Sequence, residues 1–63
     1  MNYQLQIRRP HRAYQVLVTS SNLHGLEWGW QQYMDARYFT GSVRIVDVSK
    51  GTLKIVRRAR VSL

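Results

Sequence analysis

The period of the apolar residues changes twice along this chain, and that limits what it can fold into. Tyr3, Leu5 and Ile7 alternate with Gln4, Gln6 and Arg8, the period-two pattern of a half-buried strand. Residues 13–19 are rich in β-formers and predict a second strand, with Tyr14, Val16 and Val18 turned to the core. Between them, Arg9-Pro10-His11-Arg12 interrupts the pattern, because Pro10 donates nothing to a ladder and biases Arg9 towards an extended or turn geometry. Two strands joined by so short a connection predict a hairpin. From about 22 to 37 the period becomes 3.6, and steps of 100° place Leu23, Leu26, Trp30, Tyr33 and Met34 on one face of a helix. His24, Glu27, Gln31 and Asp35 fall on the other side, and Ser20, Ser21 and Asn22 supply N-cap candidates. Gly25 and Gly29 each weaken such a helix by about 1 kcal/mol relative to Ala. They share a strip with Ala36, along which the helix could approach a backbone closely.

Period two then returns. Residues 42–48 predict a third strand, Ser49-Lys50-Gly51 a turn with positive φ at Gly51, and residues 52–58 a fourth strand that 59–63 extend. Two hairpin registers are open. One pairs Val46 with Ile55 and Asp47 with Lys54; the other pairs Ile45 with Ile55 across a bulge. Under both, Leu53 and Ile55 are expected to face the core, with Lys54, Val56, Arg58 and Arg60 on the opposite side. The expected architecture is α+β, one domain over residues 1–63: a small antiparallel sheet of about four strands in the order β-β-α-β-β, with one helix packed on one face. A chain of this size buries only about 60% of its unfolded surface, so each core contact carries weight.

The charge narrows the function classes. Ten basic residues face three acidic ones, a net +7, and eight of the ten are Arg, whose rigid fork matches phosphate and carboxylate geometry. Residues 1–26 carry +3 with no acid, residues 27–47 carry −1, and residues 48–63 carry +5. Such an excess is the electrostatic footprint of a partner that is nucleic acid or an acidic protein surface, although a solvated basic face is an equally simple reading of charge alone. With no Cys and only His11 and His24, neither a disulfide framework nor a multi-histidine metal site can be built. The longest purely apolar run is Val16 to Val18, so no membrane span and no signal-peptide core is expected, and the expected compartment is the reducing cytoplasm of a bacterial host cell. No nucleophile–base, P-loop or dinucleotide motif is present, so no enzyme, cofactor or metal is expected.

The candidate binding residues fall in three groups. Lys54, Arg58 and Arg60, with Arg57 near the sheet edge, form a basic strand. Arg8, Arg9 and Arg12 form a basic turn. If the first strand neighbours the last, the two clusters merge into a phosphate-binding surface. Charges on an edge strand also serve simply to block aggregation. Trp28 lies off the apolar helix face, where an exposed indole can anchor a partner or stack on a base; the plainer alternative folds it against Tyr38 and Phe39. Trp30 is expected in the core.

The stretch from 13 to 56 has a recognisable layout: Tyr14-Gln15-Val16, then Ser20-Ser21, the helix, Thr40-Gly41-Ser42-Val43-Arg44-Ile45, and Val48-Ser49-Lys50-Gly51. It resembles small phage and mobile-element α+β proteins, including some type I-F anti-CRISPR proteins. The resemblance implies a non-enzymatic inhibitor that binds a host nucleoprotein complex, through nucleic acid or through an acidic protein patch. The alternative is a small basic DNA- or RNA-binding regulator acting directly on nucleic acid.

Overall fold

The computed structural model describes residues 2–36 and 39–62, the side chain of Lys50 excepted. Strands β1 (Tyr3–Arg8) and β2 (Gln15–Ser20) form the first hairpin. Helix α1 (Leu23–Met34) follows, and strands β3 (Gly41–Asp47) and β4 (Lys54–Val61) form the second hairpin around a 3₁₀ turn at Ser49–Gly51. The four strands make one antiparallel sheet in the order β2-β1-β3-β4, and the helix lies across one face. This is the α+β arrangement that the periods predict.

Local chemistry sets the element ends. Asn22 caps the helix, its Oδ1 accepting from the His24 N–H at 3.0 Å. The helix ends with Asp35 as C-cap, short of the expected residue 37. The first hairpin turns through Pro10 and His11, with the Arg12 N–H donating to the Arg9 carbonyl at 3.1 Å. His11 takes the left-handed conformation (φ 62°), so the turn has the type II pattern, with Pro before a residue of positive φ. Gly41 opens β3 at φ 153°, where a Cβ would collide with the Arg8 carbonyl oxygen.

The core is the layer between helix and sheet. Leu5, Ile7, Val43 and Ile45 from the two central strands meet Leu26 and Trp30 from the helix and Phe39 from the loop that follows. Burying each large apolar side chain there contributes roughly 1.5–3 kcal/mol. Leu23, Tyr33 and Met34 pack partly against this layer, as the helical face predicts. Gly29 is the point of close approach, where an added Cβ would come 2.8 Å from Leu5 Cδ2; Gly25 meets nothing.

Two bulges overturn expectations about which side chains face inward. In β2 the register shifts opposite Leu5 and Gln6, which places Leu17 on the core. Val16 and Val18 are instead half exposed, and Tyr14 lies against Arg44 of the sheet. In β4, Val46 pairs with Ile55 but Ile45 pairs with Arg57, so Val56 is the extra residue. Ile55 therefore shares the face of Val46, away from the helix, and Leu53 and Ile55 are exposed rather than core. Lys54 pairs with Asp47 and Arg57 with Ile45, both on the helix side, so neither continues the row of Arg58 and Arg60.

Candidate functional site

Among the described residues no helix or other strand packs on the face of the sheet away from the helix; Gln6 and Val46 on it are buried, Tyr14 lies over Arg44, and the registers fix its contents. Gln4, Gln6 and Arg8 on β1 pair with Val46, Arg44 and Ser42 on β3. These pair in turn with Ile55, Arg58 and Arg60 on β4. The result is a grid whose adjacent strands lie about 4.8 Å apart. One cross-strand row reads Gln6–Arg44–Arg58, and the next reads Arg8–Ser42–Arg60. Four arginines thus share one end of this face. The basic turn and the basic strand do meet there, but across β3, because β1 and β4 are not neighbours.

The centre of this face is ordered by polar bonds. The Gln6 amide, only 5% exposed, donates to Gln4 Oε1 at 2.8 Å and accepts at its own Oε1 from the Arg44 Nε–H at 2.7 Å. The Arg44 guanidinium lies 3.6 Å from the centroid of the Tyr14 ring, and that of Arg8 lies 5.4 Å from it. Arg44 is therefore fixed at Nε by a hydrogen bond and on its plane by a ring. Aromatic faces order two more guanidinium groups: Arg57 sits 4.8 Å from the Trp30 centroid and Arg9 5.7 Å from that of Phe39.

Among the described residues no acid balances these cations. Among the described residues the ion pair is that of His24 with Glu27 at 3.7 Å on the helix, and no carboxylate lies within 4.0 Å of Arg8, Arg9, Arg12, Arg44, Arg57, Arg58 or Arg60. Asp35 accepts from the Gln31 amide at 3.1 Å, also on the helix. Asp47 points to the helix side at the far end of the sheet. Hydrogen bonds from Ser49, its hydroxyl first and then its N–H, hold the Asp47 carboxyl below its ordinary range. Arg44 stands directly opposite Arg58 across the β3–β4 ladder. Like charges in that position destabilise a sheet by roughly 0.2–1 kcal/mol.

Two hollows flank the Arg8–Ser42–Arg60 row and share its three residues. One, of about 440 Å³, opens towards Tyr14 and Arg58 on the sheet face. The other, also about 440 Å³, lies beyond the strand ends and takes in Arg9, His11 and Ser62.

The candidates from the sequence thus separate. Arg8, Arg58 and Arg60 come together on the open face. Arg9 lines the hollow beside it, while Arg12 and Arg9 border a third depression with Ile7 and Gln15. Lys54 and Arg57 lie on the helix side, and Arg57 covers Trp30, itself 5% exposed. Trp28 stands 73% exposed on the outer side of the helix, so it does not fold against Phe39. Tyr38, its other expected neighbour, lies outside the described residues. Sequence reasoning missed Arg44, Gln6 and Tyr14. Arg44 was visible as the outward residue between Val43 and Ile45, whereas Tyr14 carried no local signal.

Among the described residues no three His, Cys, Asp or Glu side chains are grouped to hold a metal ion, and no helix is long and apolar enough to cross a membrane. Comparison with protein-family models, with curated proteins and with solved structures finds no match.

Proposed function

We propose that this protein is a non-enzymatic nucleic-acid-binding module whose open sheet face receives a single strand. The observation that carries the reading is the pairing of Arg44 opposite Arg58, beside the Arg8–Ser42–Arg60 row, with no acid on the face among the described residues. A folded protein keeps like charges opposed when an anion relieves them, and a phosphodiester chain supplies one charge per nucleotide. Guanidinium planes and the Tyr14 ring offer stacking surfaces for unpaired bases. A four-stranded face is about 14 Å wide, which exceeds the roughly 12 Å major groove that admits a helix or a two-stranded ribbon. Duplex therefore meets this face only through its backbone.

The resemblance to phage inhibitors of nucleoprotein complexes gives a second reading, and the exposure of Trp28 favours it. The indole projects from the helix, which packs on the opposite face of the sheet from Arg8, Arg44, Arg58 and Arg60. One face would then engage nucleic acid while the other anchors to a protein of the same complex.

Fluorescence anisotropy with short labelled single-stranded and duplex oligonucleotides tests the proposal. Micromolar or tighter binding at physiological salt, with single strand preferred, is expected. Absence of binding to both at low salt would reject it. A pull-down from bacterial lysate with nuclease present, using wild-type protein and Trp28→Ala, tests the second reading. Loss of a discrete protein band in the variant is the expected result.

A further inference from the structure

The hollow beyond the strand ends is not part of the open face, and its chemistry differs. Arg8 and Arg60 border it from β1 and β4, about two strand spacings or 10 Å apart with Ser42 between them. Arg9 enters from the first turn of the chain, and the Ser62 hydroxyl and His11 complete the rim. Three arginines thus border a space of about 440 Å³ with no acid among the described residues of its lining. Arg9 is ordered by the Phe39 ring rather than by an acid, so its N–H donors face no competing anion among the described residues.

We propose that this hollow binds a terminal phosphate monoester of the nucleic-acid strand whose backbone crosses the open face; the inference rests on the single-strand reading above. The two hollows share Arg8, Ser42 and Arg60, so a strand leaving the face at this end passes directly into the second one. The Pro10–His11 turn borders this second hollow, at the end of the Arg8–Ser42–Arg60 row. A monoester carries about −1.5 to −2 charges at neutral pH and three acceptor oxygens, against a single charge for an internal phosphodiester. Three converging arginine forks match the former, and bidentate guanidinium–phosphate bonds are the strong, directional kind.

The experiment compares one single-stranded oligonucleotide in three forms: 5′-phosphorylated, 3′-phosphorylated, and hydroxyl at both ends. Affinity is read by anisotropy against wild-type protein and Arg9→Gln. One phosphorylated form is expected to bind roughly tenfold tighter than the hydroxyl form, the equivalent of one more charge-assisted contact. The form that gains identifies the end recognised. Arg9→Gln is expected to erase that gain, read as the ratio of phosphorylated to hydroxyl affinity within the same variant. Since Arg9 also covers Phe39, phosphorus NMR of the terminal phosphate on wild-type protein gives a second readout, in which its resonance shifts on binding. Equal affinity for all three forms, or a gain that survives in Arg9→Gln, overturns the end site and leaves the open-face reading standing. No binding of any form overturns both.

Discussion

Replacing Arg58 and Arg60 together by Gln separates binding from folding on this sheet. Both side chains are exposed on the edge strand, and neither has a carboxylate or a ring partner among the described residues. Exposed positions of this kind usually change stability by no more than about 0.5 kcal/mol. Here the change has a sign: removing the Arg58 charge from opposite Arg44 should stabilise the free protein by roughly 0.2–1 kcal/mol at low salt. The gain should shrink as salt screens the pair. Binding should move the other way. Each phosphate contact on a single strand contributes about 0.7 to the slope of log affinity against log salt, so the four arginines of the open face give about −2.8 and the variant about −1.4. Between 50 and 200 mM salt this corresponds to losing about 50-fold in affinity for wild type and about 7-fold for the variant. Other cations shift both slopes equally, so the difference of about 1.4 is the quantity to measure. Anisotropy titrations at four salt concentrations, with urea unfolding in parallel, read both effects. Lys54→Gln, on the helix side of the sheet, is the matched control and should leave the slope alone. An unchanged slope in the double variant would refute the placement of phosphates on this face.

Arg57→Glu should behave as a folding variant: it sets a carboxylate against the Trp30 ring in place of a cation and should destabilise by about 1–2 kcal/mol in urea unfolding. Gly41→Ala should be harsher, about 3 kcal/mol or more, because the new Cβ meets the Arg8 carbonyl at a positive φ; a wild-type melting curve would refute the strand geometry there. Asp47 is held below its ordinary value of 3.8 by Ser49, so the folded state binds its proton less readily than the unfolded chain. Its stabilising contribution is complete above that value and is lost as pH falls through the lower folded value; Asp47→Asn should flatten this acid limb in denaturation series between about pH 4.5 and pH 2. Deleting Val56, the extra residue of the β4 bulge, should preserve both the Val46–Ile55 and Ile45–Arg57 pairings, and thus the binding slope. A variant that folds but no longer binds would show that the bulge itself shapes the site.

The elements and the site were legible to different degrees, for one physical reason. Periodicity reports which face of an element is apolar, and that suffices where the element is regular. Tyr3, Leu5 and Ile7 read directly as a strand, and Leu23, Leu26, Trp30, Tyr33 and Met34 as a helix face. A bulge adds a residue that the period does not announce, and every side chain beyond it changes face. Extrapolating alternation from Leu53 through Ile55 therefore put Ile55 inward and Lys54 in the arginine row, both opposite to the structure. In β2 the bulge turns Val16 to the face of Gln6 and lets Leu17 pack on the core, while Val18 stays opposite Leu5 and is half exposed. Composition located the charge correctly in the two ends of the chain. It could not tell that β3 lies between them, because strand order is decided by the helix crossing and not by any local run of residues.

The bulge at Val56 also explains how a marginal core and a strongly basic strand coexist. Arg57 and Arg58 are neighbours in sequence with opposite tasks. Arg57 turns inward to cover an indole that a small domain cannot otherwise bury, using its alkyl stem and the face of its guanidinium. Arg58 turns outward to stand opposed to Arg44. If charge served only to protect an edge strand from pairing, alternate residues of β4 alone would suffice, and Lys54 with Arg57 on the helix side already provide charge there. Blocking an edge gives no reason to seat Arg44 in a central strand, hydrogen-bonded to a nearly buried Gln6 and stacked on Tyr14. A half-buried cation fixed in advance, with a second cation across from it and no acid near either among the described residues, is unfavourable in the free protein and favourable beside an anion. That asymmetry, more than the net charge of the chain, is the ground for proposing the open face as the binding surface.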